Sequence, residues 1–91
     1  MSIKQRFLFI DTESGGPSKD FSLLEINLTV YQDNSKIANL TLKTKPDDGR
    51  YIVSAGGLDV NKINLVEHDK IAITYKNAKI QLYAFLKANC P

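Results

Sequence analysis

The chain has a single cysteine, a single histidine and no tryptophan. One thiol excludes a disulfide framework within the chain. That points to a reducing, cytoplasmic setting. Cys90 lies beside the C-terminus with no histidine near it, which argues against a catalytic thiol. No run approaches the roughly 18 apolar residues of a membrane-spanning helix, so no membrane association is expected. The start, Met1-Ser2-Ile3-Lys4-Gln5-Arg6, lacks the apolar stretch and small-residue cleavage site of a secretory signal. The sequons Asn27-Leu28-Thr29 and Asn39-Leu40-Thr41 are therefore expected to be accidental. Neither sign of charge dominates: 12 basic against 10 acidic residues leave a net charge of +2. This balance does not mark a nucleic-acid surface. There is no internal repeat, low-complexity tract or linker, and 91 residues make one small domain of modest stability.

What is present is a set of short periodic segments. Phe7-Leu8-Phe9-Ile10 is a continuous apolar run ending on Asp11, expected as a strand buried on both faces. Ser14-Gly15-Gly16-Pro17-Ser18 breaks it as a loop. From Leu24 to Tyr31 apolar residues alternate with mostly polar ones, and the pattern returns from Ile37 to Thr44 after the polar turn Gln32-Asp33-Asn34-Ser35-Lys36. Period two on both sides of a short turn is a hairpin, and the first strand is expected to pair with the second. Ser54 is a possible cap for a short helix, Asn64 to Lys70 is expected as loop, and Thr74 is a plausible N-cap for a long helix. In that helix Ala78, Leu82, Phe85, Leu86 and Ala88 recur on one face, with Lys76, Lys79 and Lys87 mostly elsewhere. The expected fold is α+β or α/β. It comprises a three-stranded antiparallel sheet (about 6–11, 23–31, 37–44), a short helix (about 55–63) and a long helix (about 75–89).

Asp11-Thr12-Glu13 carries the chemistry. Residues i and i+2 of a strand share a face, so both carboxylates stand about 6–7 Å apart along the backbone at the strand's end. Paired acids beside an apolar strand are costly without a positive partner. A hard divalent cation, Mg²⁺ or Mn²⁺, is the natural candidate. A D-x-E spacing also arises often as a plain pair of surface acids. The surroundings of this one, Phe9-Ile10-Asp11-Thr12-Glu13-Ser14-Gly15, then Glu25-Ile26, the stretch Leu58 to Leu65 and the segment Leu82-Tyr83-Ala84-Phe85-Leu86, make the chain resemble the DnaQ-like, ribonuclease-T-like branch of the DEDD 3′–5′ exonucleases. The similarity runs over nearly the whole chain, with the Asp11/Glu13 segment its specific part.

The resemblance implies a ribonuclease-H-like fold, present incompletely, and two-metal hydrolysis at the 3′ end of single-stranded DNA or RNA. It implies that Asp11 binds both metals and Glu13 one of them. Thr12 and Ser14 would help hold the terminal nucleotide, or make local turn hydrogen bonds. Leu58, Val60 and Ile63 would wall a nucleobase pocket or pack in the core. The family's second aspartate follows the Phe-Leu helix, and its His-x-x-x-x-x-Asp motif comes later. Neither has a counterpart before Pro91. The expectation is therefore an N-terminal part of an exonuclease domain, without hydrolytic activity of its own. His68 does not replace the missing base and is expected at the surface or in a local hydrogen bond. Lys43, Lys45 and Arg50 are expected as a solvated group on an outer strand. In the family the first strand is central. Here its bare edge predicts self-association through that strand, or else the long helix swings across to cover it. The competing expectation is a binding or interaction module with the same scaffold and no chemistry.

Overall fold

The structure, a computed structural model, describes residues 5–90; Met1 to Lys4 and Pro91, with the N-terminal expectation that falls on them, lie outside the described residues. Strands β1 (Arg6–Ser14), β2 (Leu23–Gln32) and β3 (Ser35–Lys45) form an antiparallel meander. Helices α1 (Ala55–Asn61) and α2 (Leu65–Ile71) follow, then the two-residue strand β4 (Ile73–Thr74) and helix α3 (Tyr75–Asn89). The sheet order is β1-β2-β3-β4, with β4 parallel to β3. The α+β class and the three antiparallel strands agree with expectation, and β4 is an addition to it.

The hairpin turn is tight because Asp33 and Asn34 both take positive φ, 53° and 67°. Two such residues make the mirror-image turn whose twist suits a two-residue hairpin, and Asp and Asn tolerate that conformation. The turn opposes Gln32 to Ser35 and Tyr31 to Lys36, and a one-residue register shift between Tyr31 and Val30 then carries Val30 onto Ala38 and Leu28 onto Leu40. Even-numbered residues consequently share one face. Leu24 and Val30 are fully buried there, with Leu28, Leu42 and Thr44. Ala78 on α3 packs against them as the buried residue of that helix. Leu82, Phe85 and Leu86 are half-buried beside it, while Ala88 is exposed.

Two caps anticipated from sequence are present: Ser54 accepts from the Gly57 amide, and Thr74 from the Asn77 amide. Residues 64–70, expected as loop, are instead largely α2. Asn64 caps that helix by accepting from the Glu67 amide, and Glu67 lies in its positive first turn. His68 is a second correction, because it is buried. Its Nε2–H donates to the Thr44 carbonyl at 2.7 Å, across 24 residues of chain. This bond and the edge-on contact of the Tyr51 and His68 rings pin α2 to the end of β3. A third correction concerns β3, which is not an outer strand: it lies between β2 and β4. Lys43 there donates to Glu25, and Lys45 Nζ lies 3.7 Å from Asp69 Oδ1.

The fourth correction is the first strand. Instead of being buried on both faces it lies at the sheet edge, with Phe7 57%, Phe9 59% and Ile10 64% exposed. The reason is the placement of α3, which packs on β3 and β4 and reaches β1 at its last turn. There Arg6 Nη1 donates to the Asn89 carbonyl at 2.6 Å. The apolar core is accordingly thin. The Cα radius of gyration is 15.2 Å, against about 12 Å for a compact chain of this length.

Two stability outcomes follow from this packing. Leu24→Ala is expected to cost about 2–5 kcal/mol in urea unfolding, and Ile10→Ala about 0.5 kcal/mol or less. The second outcome concerns the α2 anchor. The Tyr51 hydroxyl donates to Asp69 Oδ1 at 2.7 Å, which holds the Asp69 carboxyl below the usual aspartate range. Desolvation opposes this, and Lys45 adds to it. A depressed folded pKa means stability that is present above the ordinary aspartate pKa and is lost as pH falls through the folded one. Tyr51 moves the other way, raised first by burial and then by Asp69, so its share is lost as pH rises past the ordinary tyrosine pKa. Tyr51→Phe should therefore flatten the fall in urea midpoint on both the acid and the alkaline limb.

Candidate functional site

Asp11 and Glu13 lie on the odd-numbered face of the sheet, opposite to the core. The register places Asp11 beside Asn27 and Glu13 beside Glu25, and Glu25 beside Lys43. Like charges directly opposite each other destabilise a sheet, but here Lys43 neutralises Glu25. Asp11 and Glu13 have no such compensation. Neither makes a hydrogen bond or ion pair among the described residues. Asp11 is exposed and Glu13 half-buried. They form a pair of free carboxylates on one face at the C-terminal end of β1.

Main-chain contacts position that end. The Gly15 amide donates to the Ser22 carbonyl at 2.9 Å, and the Gly15 carbonyl accepts from the Ser54 amide at 2.7 Å. Asn61 Nδ2 donates to the Ser14 carbonyl at 2.7 Å. These bonds tie the N-terminus and the last turn of α1 to the loop after β1. The approach is so close that a Cβ on Gly57 would run into the main chain of Gly15 and Gly16. Glycine is required there by space, although it weakens the helix.

A cleft of about 500 Å³ opens between the end of β1 and α1. It is lined by Thr12, Glu13, Ser14, Gly56, Val60 and Asn61, among others. The structure thus brings Thr12, Glu13 and Ser14 together against α1. Asp11 borders a different depression of about 680 Å³ over the open sheet face, with Phe7, Phe9, Asn27, Thr29 and Tyr31. Ser14 Oγ donates to the Gly16 carbonyl, 2.8 Å away, so the local turn bond is the one it makes. Leu58 and Ile63 are half-buried and do not line the α1 cleft among the described residues. Val60, 77% exposed, does. Sequence reasoning missed Asn61 as a member of the site. Its signal is a polar residue at the end of a short helix, which has no periodicity to mark it.

The resemblance calls for divalent cations at Asp11 and Glu13. Two free carboxylates are hard oxygen ligands of the right kind. Among the described residues, however, no group of three or more His, Cys, Asp or Glu side chains comes together. Glu25, the nearest further carboxylate in register, is engaged by Lys43. The residues present do not make a complete two-metal site. The chain matches no protein-family model, no curated protein and no solved structure.

The tight junction of α1 with the loop after β1 can be tested by adding a single methyl group. Gly57→Ala is expected to destabilise by about 1–3 kcal/mol through collision with Gly15. The neighbouring Gly56→Ala, which meets open space, should be neutral or stabilising by about 0.5–1 kcal/mol. Thermal unfolding of the two variants side by side checks this.

Proposed function

We propose that this chain is the first segment of a DEDD-type 3′–5′ exonuclease domain of ribonuclease-H-like fold, acting on single-stranded DNA or RNA ends in a reducing, cytoplasmic setting. The observation that carries the proposal is the free Asp11/Glu13 pair on one face at the end of β1, with Glu13 lining a cleft of about 500 Å³. A cavity of that size suits one nucleotide. Asp11 and Glu13 supply part of a divalent-cation ligand set, and Thr12 with Ser14 lines the place where a terminal nucleotide would lie. Leu58 and Ile63 are left as packing residues beneath α1, and Val60 takes the wall position. The 91 residues hold one Asp-x-Glu motif and no His-x-x-x-x-x-Asp motif, so the proposal is of a segment without turnover by itself. A second reading, a non-catalytic binding module, draws on the exposed Phe7, Phe9 and Tyr31 of the open sheet face.

Manganese titration followed by paramagnetic broadening of amide resonances tests the first reading. Amides from Asp11 to Ser14 should broaden selectively, and the effect should disappear in Asp11→Asn and in Glu13→Gln. Uniform or absent broadening would overturn the metal-ligand role. In a parallel assay with single-stranded DNA and Mg²⁺, no nucleotide release is expected. Release abolished by Asp11→Ala would sink the claim that the segment is inactive, while supporting the family reading.

A further inference from the structure

We propose that the cleft between β1 and α1 reads the ribose 2′-hydroxyl through Asn61, so that the strand end it takes is RNA rather than DNA. The inference rests on the nucleic-acid reading above and names its substrate class. It starts from the orientation of one amide. Asn61 Nδ2 donates to the Ser14 carbonyl at 2.7 Å, across 47 residues of chain. A carbonyl accepts only from the NH2 end of an amide, so this bond fixes which way the group is turned. Oδ1 is the other end, and it has no partner among the described residues. Asn61 lines the cleft, so the atom it holds ready for a ligand is an acceptor.

Other polar side chains of the cleft are engaged in the same sense. Ser14 Oγ donates to the Gly16 carbonyl at 2.8 Å, and Ser54 Oγ donates to the Gly15 carbonyl at 3.3 Å. Each hydroxyl hydrogen is directed at the main chain, and the oxygen lone pairs remain for a ligand. Glu13 is the one charged side chain of the lining among the described residues. An ionised carboxylate accepts hydrogen bonds and donates none. Thr12 alone keeps a side-chain hydroxyl free to donate among the described residues of the lining. Side chains that mostly accept select a ligand that donates.

A nucleotide carries donors on its sugar and its base, and none on its ionised phosphate. The Glu13 charge repels a phosphate unless a cation stands between them. The donors of the base differ from one base to the next. The sugar hydroxyls are the same on every residue, and an enzyme that removes residues in succession needs a contact that each of them can make. A terminal deoxyribose has its 3′-hydroxyl, and ribose adds the 2′-hydroxyl beside it as a second donor. Acidic side chains recognise ribose through that same group in dinucleotide-binding folds, and it is the group by which a protein tells RNA from DNA. Its loss would leave Asn61 Oδ1 covered by the ligand and without a hydrogen bond. Val60 and Pro17 give the cleft an apolar wall for the carbon face of the sugar.

Amide chemical-shift titration of the full chain with cytidine, in the absence of metal, tests the proposal. The amides of Ser14, Gly16, Gly57 and Asn61 should shift, and 2′-deoxycytidine should bind about three- to tenfold more weakly. 2′-Fluoro-2′-deoxycytidine fills the 2′ position but donates nothing there, and it should be as weak as the deoxy form. In Asn61→Ala the ratio of ribo to deoxy affinity should fall to about one. That variant also loses the bond to Ser14, whereas the fluoro comparison uses the unaltered chain and stands whether or not α1 loosens. Four outcomes would overturn the proposal. They are equal affinity for cytidine and 2′-deoxycytidine, binding of the fluoro compound as tight as cytidine, a ratio unchanged in Asn61→Ala, and no shift of the cleft amides up to the solubility limit of cytidine. The metal test fails separately. Manganese broadening from Asp11 to Ser14 with equal nucleoside affinities would remove the 2′-hydroxyl readout and leave the nuclease reading. A ribose preference without that broadening would do the reverse.

Discussion

Asp33 and Asn34 turn β2 back onto β3, and a one-residue register shift just beyond Tyr31 decides which face of β3 joins the core. With Val30 opposite Ala38 and Ile26 opposite Leu42, the residues Leu24, Leu28, Val30 and Leu42 fall on one face and Glu25, Asn27, Thr29 and Tyr31 on the other. Without that shift Val30 would face Ile37, and β3 would turn its other face to the core. Helix α3 has one face to settle on, and β1 inherits its parity from β2 through the pair Ile10–Leu28. Asp11 and Glu13 therefore stand on the open face, opposite to Leu28 and the rest of the core.

The polar half of that open face is held by its own network. Asn27 Nδ2 donates to Thr41 Oγ1 at 2.6 Å. Asn39 Nδ2 donates to the Leu28 carbonyl at 2.9 Å and to Thr29 Oγ1 at 3.0 Å. Side chains that satisfy one another in this way present a stiff, hydrated surface over β2 and β3. The β1 side is different in kind. Phe9 meets Tyr31 edge-on, with centroids 5.5 Å apart, and both rings remain accessible. The contrast across one sheet face separates a finished surface from one that still has apolar area to bury. It also separates the Lys43-neutralised Glu25 from the two carboxylates that have no partner among the described residues.

Much of this was legible in the sequence because it is local. The hairpin followed from period two around a polar turn, and the Ser54 and Thr74 caps from residue type and position. Helix α2 carries a local signal as well: Asn64-Leu65-Val66-Glu67 is a capping pattern. Its seven residues are too short for periodicity to stand out. The burial of His68 was not legible. It depends on a carbonyl 24 residues away in the chain, exposed to α2 because β3 ends there. The division of Asp11 and Glu13 between two depressions was likewise hidden, since it depends on where α1 docks.

The sequence by itself determined the strands, the turn, the main helices and the pairing of two acids on one face, because each depends on neighbours within a few residues. Only the tertiary structure decided that β1 lies at an edge, that α3 covers β3 and β4 rather than β1, and that Asn61 and Gly57 lock α1 against the loop after Ser14. An apolar run such as Phe7 to Ile10 states that burial is favourable. It does not state which surface supplies it, because the hydrophobic effect has no direction.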